Sequence, residues 1–396
     1  MSLAVELAHW AADLQPTEAD LELARRSLVD TVAVAVAARA EPVLPRAASL
    51  PEAARWAVAS HILDFDDLHM ESTTHISTVC VPAALATGGG AQAYLAGAGV
   101  MARLGTGLGW AHYSAGWHAT TTAGAPAAAV SAGVALGLDA ERIATAMALA
   151  VPAGGGVQRA FGTDAKSLQV GFAADAGVRA AQLAAAGATA DVAALDAWFE
   201  LLGGDPGAVP GRGAPAVPGG LAIKIFPCCY ALQRPLSALA ELARHERIDP
   251  AAVDRVVVRT PKGTVTPLIH HSPETGLQGK FSLEYAAAAA VLDEHQGFAT
   301  FTDAAVRRPE AQRLVRRVEV QLTDGGDWLL AGELAAEVHL GDRVLHARQQ
   351  FPPGSPQRPP SEEQLLRKVA DCLAGTTVDP EAIDWASAPA ILRTHV

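Results

Sequence analysis

The sequence predicts a mainly α protein, a large all-helical domain plus a smaller α+β domain, on three grounds. Half of its 396 residues are hydrophobic but only 5% are aromatic, and alanine and glycine dominate, a composition suited to closely approaching helices. Before residue 205 the apolar residues recur at helical spacing, and period-two alternation appears only afterwards. The length exceeds that of one ordinary core, so two domains are the default.

The first helix opens at Thr17-Glu18-Ala19-Asp20, a capping-box pattern, and Leu21, Ala24, Leu28, Val32 and Ala35 follow on one face. Helical patterns continue over residues 53–66, 81–104, 119–136, 140–151, 168–186 and 190–202. Gly137-Leu138-Asp139 and Gly154-Gly155-Gly156 punctuate them. Residues 205–220, rich in Pro and Gly, read as a long loop. Residues 253–260 (VDRVVVRT) are β-branched, and 315–323 and 336–340 alternate, which predicts strands. Residues 281–292, 361–373 and 379–392 read as helices, the second capped by Ser361-Glu362-Glu363-Gln364. The helical domain is therefore placed at 1–245 with 375–396, and the α+β domain at 246–374.

A net charge of −12 argues against nucleic acid as a partner, which requires a basic footprint, and weakly against anionic membrane surfaces. A locally basic pocket for a small anion remains compatible with it. Four cysteines form neither a disulfide framework nor a CxxC zinc site. The N-terminal residues lack a basic region, so no signal peptide is expected. The uncharged stretches 78–102 and 119–138 are broken by Pro and Gly and read as buried helices rather than membrane spans. A cytoplasmic location is expected.

Asp64, Asp66, Asp67, His69, Glu71 and His75 place six ionisable groups in twelve residues, bracketed by the apolar runs ASHIL and VCVPAALA. A solvated helix end would not be so bracketed. Two chemistries can use the cluster. Asp66-Asp67-x-x-x-Glu71 resembles a magnesium-binding helix of all-α terpene cyclases, but the second acidic motif such enzymes need is missing. Proton transfer, with His75 as acid or base and Asp64 orienting a neighbour, is preferred. Gly116-Trp117-His118-Ala119-Thr120 opens a helix, so His118 would face the positive end of its dipole, where an anion is favoured. Gly162-Thr163-Asp164-Ala165-Lys166 sets a lysine at another helix start. Lys224 is the only charge between Leu221 and Gln233, and a buried lysine needs an anion. Cys228 and Cys229 read as core residues, and Tyr285 as either packing or a hydroxyl donor. There is no GxxxxGK[ST], GxSxG or HExxH, and Gly105-Thr106-Gly107-Leu108-Gly109 follows a helix rather than a strand.

Together these segments resemble the MmgE/PrpD family, whose members dehydrate, decarboxylate or epimerise small polycarboxylates. The matching pieces are DFDDLH with His75-Ile76-Ser77, VPAALA, GWHAT, GLDAERI, the GT-x-x-K turn, KIFPCC and FSLEYAAAAAVL, in the family's order. The resemblance implies a homodimer, a smaller α+β lid on the helical domain, a site between the domains, and no metal or organic cofactor. It puts the catalytic aspartate on Asp64, histidines on His75 and His118, lysines on Lys166 and Lys224, and the tyrosine on Tyr285. Leu68 stands where a threonine is common, and Gln233, beside Arg234, where a histidine is frequent.

The expected activity is a cofactor-independent lyase acting next to a carboxylate of a small di- or tricarboxylate. Lys166, Lys224 and Arg234 would hold carboxylates. His75 and His118 would serve as base and acid, Asp64 would set a tautomer and Tyr285 would assist. An epimerase of the same family, a magnesium-dependent cyclase and a non-catalytic binding protein are the alternatives.

Overall fold

The computed structural model describes residues 2–213 and 215–396. The protein is mainly α, with one four-stranded sheet among the described residues. It divides into two compact units: Met1–Arg159 with Asp164–Ile223 and Glu362–Val396, and Ala160–Thr163 with Lys224–Ser361. These limits differ from the expected boundaries at 245 and 374. The helix Tyr230–Glu246 buries its first eleven residues against the sheet and the helix Leu283–Leu292, so it belongs to the second unit. The helix Glu362–Leu373 lies on the helix Glu18–Ala37, where Lys368 Nζ meets Asp30 Oδ1 at 2.7 Å, so it belongs to the first.

In the helical unit Thr17 and Asp20 form the expected capping box: each side chain accepts from the other's backbone N–H, at 3.0 and 3.2 Å. The run 81–104 is two helices, Ser77–Ala86 and Ala91–Ser114, parted at Gly88 to Gly90, where Gly88 has φ +75°.

Small side chains let the helices Glu52–Ile62, Ala119–Ala135 and Asp164–Ala185 approach almost backbone to backbone. A Cβ on Gly177 would lie 2.4 Å from Ala128 Cβ and 2.5 Å from the Ala129 nitrogen, and one on Gly171 would lie 2.8 Å from the Ala54 carbonyl. This approach brings the ends of the three helices together, and the site is built there. No helix among the described residues is long and apolar enough to cross a membrane.

In the second unit the strands β1 (Arg255–Pro261), β2 (Val318–Thr323), β3 (Leu334–Leu340) and β4 (Arg343–Gln349) take the order β2-β1-β3-β4. β1 runs parallel to β2 and antiparallel to β3, and β3 and β4 are antiparallel. β4 was not expected. It forms because Gly341, at φ +58°, turns the chain tightly between Leu340 and Arg343, which pair directly.

Candidate active site

The helix Glu52–Ile62 stops short of the expected residue 66, because Asp64 adopts the left-handed region at φ +53° while its N–H bonds the His61 carbonyl at 3.0 Å. Aspartate tolerates that conformation better than most residues. Residues 63–76 then form a buried turn tied down at several points. Lys368 Nζ donates to the Phe65 carbonyl at 2.8 Å, and Leu68 pairs with Ala222. His69 bridges Ser72 Oγ at 2.7 Å and the Pro218 carbonyl at 2.6 Å. Asp67 accepts from the Ser77 N–H at 3.1 Å and from its hydroxyl, and burial pushes its carboxyl up to about 7. Asp67 and His69 thus support the turn, and Glu71 is exposed.

Within the frame of this turn, Lys166, in the first turn of the helix Asp164–Ala185, is buried with its ammonium 2.7 Å from His61 Nε2 and 3.2 Å from Asp64 Oδ1. His61 Nδ1 in turn lies 2.7 Å from Asp66 Oδ2, and His75 Nδ1 lies 3.0 Å from the same oxygen. An ammonium only donates, so His61 Nε2 holds a lone pair and its proton sits on Nδ1, facing Asp66. Burial holds the His61 imidazole below its ordinary value against the pull of Asp66. The carboxylate that orients histidines is therefore Asp66, whereas Asp64, expected in that role, meets the lysine. His75 is anchored by its backbone N–H, which donates to Thr120 Oγ1 at 3.0 Å.

His118 is the N-cap residue of the helix Ala119–Ala135, as its sequence position predicts, and it is buried. Its ring stacks on His61 with centroids 5.7 Å apart, and His61 meets His75 edge-on at 4.8 Å. His118 Nδ1 lies 2.6 Å from Gln169 Nε2. Burial, with Lys166, His61 and His75 close by, pushes the His118 imidazole well below its ordinary value. The first unit thus gathers four of the expected residues, Asp64, His75, His118 and Lys166, around one buried ammonium.

The other three expected residues belong to the second unit. Lys224 is fully buried, as expected. Gln233 clamps the turn after it: Oε1 accepts from the N–H groups of Ile225 and Phe226 at 3.1 and 3.0 Å, and Nε2 donates to the Phe226 carbonyl at 2.8 Å. The Arg234 guanidinium donates to the carbonyls of Leu330, Gly332 and Gln350 and to the hydroxyls of Thr260 and Thr264, at 2.9 to 3.4 Å. It is a brace for the sheet rather than a hand held out to a carboxylate. The Tyr285 hydroxyl donates to the Thr300 carbonyl at 2.5 Å, and burial pushes it up to about 12.

Sequence reasoning missed His61 and Gln169 and gave Asp66 no part in the proton-transfer reading. His61 hides in the apolar run ASHIL, where a histidine reads as core. Gln169 sits three residues after Lys166, on the same helix face, and that spacing was the available signal. The nearest ring nitrogens of His61 and His75 and a carboxylate oxygen of Asp66 lie within 4.8 Å of one another, a grouping that could take up a metal ion. Asp66 Oδ2 already meets both rings, in a hydrogen bond with His61 and an ion-pair contact with His75, and the Lys166 ammonium against His61 repels a cation.

Comparison with known proteins agrees with this assembly. The MmgE/PrpD N-terminal domain matches residues 45–199, which contain the whole cluster, and the MmgE/PrpD C-terminal domain matches residues 226–386. The cis-aconitate decarboxylase of Aspergillus terreus (strain NIH 2624 / FGSC A1156) is 26% identical over 363 residues, spanning 81% of this chain and 73% of its own. A second Aspergillus terreus cis-aconitate decarboxylase matches to the same extent. With both domains matched over most of its length and in order, the chain belongs to the MmgE/PrpD family.

Proposed function

We propose that the protein is a cofactor-independent lyase that acts on a small di- or tricarboxylate by moving a proton on the carbon next to a carboxylate. The observation that carries this reading is the buried Lys166 ammonium, flanked by Asp64 and His61 and facing the His75 and His118 cluster. A proton next to a carboxylate is held tightly because its removal piles a second negative charge onto the carboxylate. A preorganised cation in a water-poor site lowers that barrier. His75, with Asp66 behind its Nδ1, is the proton carrier. In decarboxylation the electrons of the broken C–C bond stay on the substrate carbon, which then takes a proton. In dehydration the base removes the carbon-bound proton while an acid protonates the departing hydroxyl. Decarboxylation is the favoured form, on the likeness to the two decarboxylases.

The test is a panel of di- and tricarboxylates headed by cis-aconitate, followed by proton NMR in deuterated water with the wild type and the variants His75→Ala and Lys166→Met. The expected result is loss of carbon dioxide or water from one substrate, abolished in both variants. Undiminished turnover by either variant overturns the assignment. Deuterium uptake with inverted configuration and no lost fragment would replace the lyase by the epimerase reading.

A further inference from the structure

The two outer histidines of the cluster are held by unlike groups, and the difference sets what each can do. His75 has a carboxylate oxygen at its Nδ1, but His118 has an amide. The orientation of that amide is determined by the backbone beside it. Gln169 Oε1 accepts from the Val157 N–H at 3.2 Å, and Gln169 Nε2 donates to the Val157 carbonyl at 3.3 Å. Reversing the amide would set oxygen against oxygen and N–H against N–H. The nitrogen that remains turned to His118 can only donate, so His118 Nδ1 carries the lone pair and the neutral ring carries its proton on Nε2.

Val157 is itself held in place. The segments 116–118 and 156–158 pair across a Trp117–Val157 bridge, with His118 N–H donating to the Gly156 carbonyl at 3.0 Å and Gln158 N–H to the Gly116 carbonyl at 2.9 Å. Gly156 sits at φ +113°, and a Cβ there would lie 2.2 Å from Thr121 Oγ1 and 3.0 Å from Gln169 Oε1. The glycine is required for the amide to lie where it does.

We propose that Gln169 is a positioning residue that locks His118 as a neutral Nε2–H donor, so that His118 gives a hydrogen bond to a substrate oxygen and takes no part as a base. This rests on the carboxylate chemistry proposed above. Burial above all keeps His118 neutral; Lys166, His61, His75 and the positive end of the helix Ala119–Ala135 also disfavour a second proton, against the pull of Asp64. A neutral imidazole with Nε2–H is a poor acid and has no lone pair on that side. It is suited to meeting an oxygen on which negative charge develops, as backbone donors do in oxyanion holes. The base role then falls to His75.

The test is nitrogen-15 NMR of the histidines in the ligand-free protein, with His118 assigned by its absence in His118→Asn, together with pH profiles of kcat and kcat/KM. The expected wild-type His118 shows an unprotonated Nδ1 and a protonated Nε2, unchanged across neutral pH. In Gln169→Glu the new carboxylate accepts from the ring instead, moves the proton to Nδ1 and makes His118 titrate. The pH profile then gains a limb, and kcat falls by about 10²- to 10³-fold, the loss expected for one such donor, with little change in KM. In Gln169→Met, which keeps the length without the amide, the two tautomers mix and kcat falls by a smaller factor. A cationic or Nδ1-protonated His118 in the wild type overturns the inference, as does a folded Gln169→Glu variant with an unaltered pH profile. The tautomer is read without substrate, so it stands or falls independently of the carboxylate reading.

Discussion

Replacing Lys166 by methionine removes the ammonium while keeping the length of the side chain, and its consequences separate stability from catalysis. Lys166 Nζ is 3.2 Å from Asp64 Oδ1 and the residue is 6% exposed. At an effective dielectric constant of about 20, two unit charges at that distance attract by about 5 kcal/mol. Removing one member of a buried pair leaves the other uncompensated, which costs about 3–5 kcal/mol of folding stability. Turnover loses the cation aimed at the substrate, about 3–4 kcal/mol of transition-state stabilisation, or about 10²- to 10³-fold in kcat/KM. The double variant Asp64→Asn with Lys166→Met leaves neither charge, and asparagine accepts the left-handed φ that Asp64 occupies. Denaturant unfolding should show most of the lost stability regained in the double variant, while kcat/KM on the carboxylate substrate stays low. A double variant that recovers turnover along with stability would refute the reasoning, because Lys166 would then act only by folding the site.

Three further outcomes follow from the same geometry. Asp67 titrates near 3.8 when unfolded but at about 7 when folded, so between those pH values the folded state holds the extra proton and stability falls as pH rises. Asp67→Asn removes that loss, worth at most on the order of 4 kcal/mol, so urea-unfolding curves of wild type and variant should diverge from acid to neutral pH and run level above it; curves parallel throughout would place the ionisation elsewhere. Arg234→Met strips donors from three carbonyls and two hydroxyls and should lower stability by about 3–5 kcal/mol. A stable Arg234→Met variant with a raised KM would return Arg234 to the substrate. Dialysis against a chelator should leave turnover unchanged, and a loss restored by added magnesium or zinc would make the His61, Asp66 and His75 grouping a metal centre instead.

The sequence by itself determined the helical class, the capping box at Thr17, three of the strands (expected at 253–260, 315–323 and 336–340, found at 255–261, 318–323 and 334–340), and the ionisable cluster at 64–75, because periodicity and local charge density are written in consecutive residues. It also marked His118 as a helix N-cap and Lys166 as lying at a helix start. Other features waited on tertiary structure. That Asp66 rather than Asp64 meets the histidines depends on one left-handed residue, which turns the chain so that side chains two apart face different neighbours. That His61 belongs to the site depends on Gly171 and Gly177, which let three helices close until His61, His118 and Lys166 touch, although up to 105 residues separate contacting partners. Arg234 looked like an anion binder in one dimension, and only the positions of the carbonyls after β2 and β4 and of two threonine hydroxyls show that both its terminal nitrogens are already engaged. Local preference sets the elements, but partner choice among buried polar groups is set by which backbones come close enough to present their donors and acceptors.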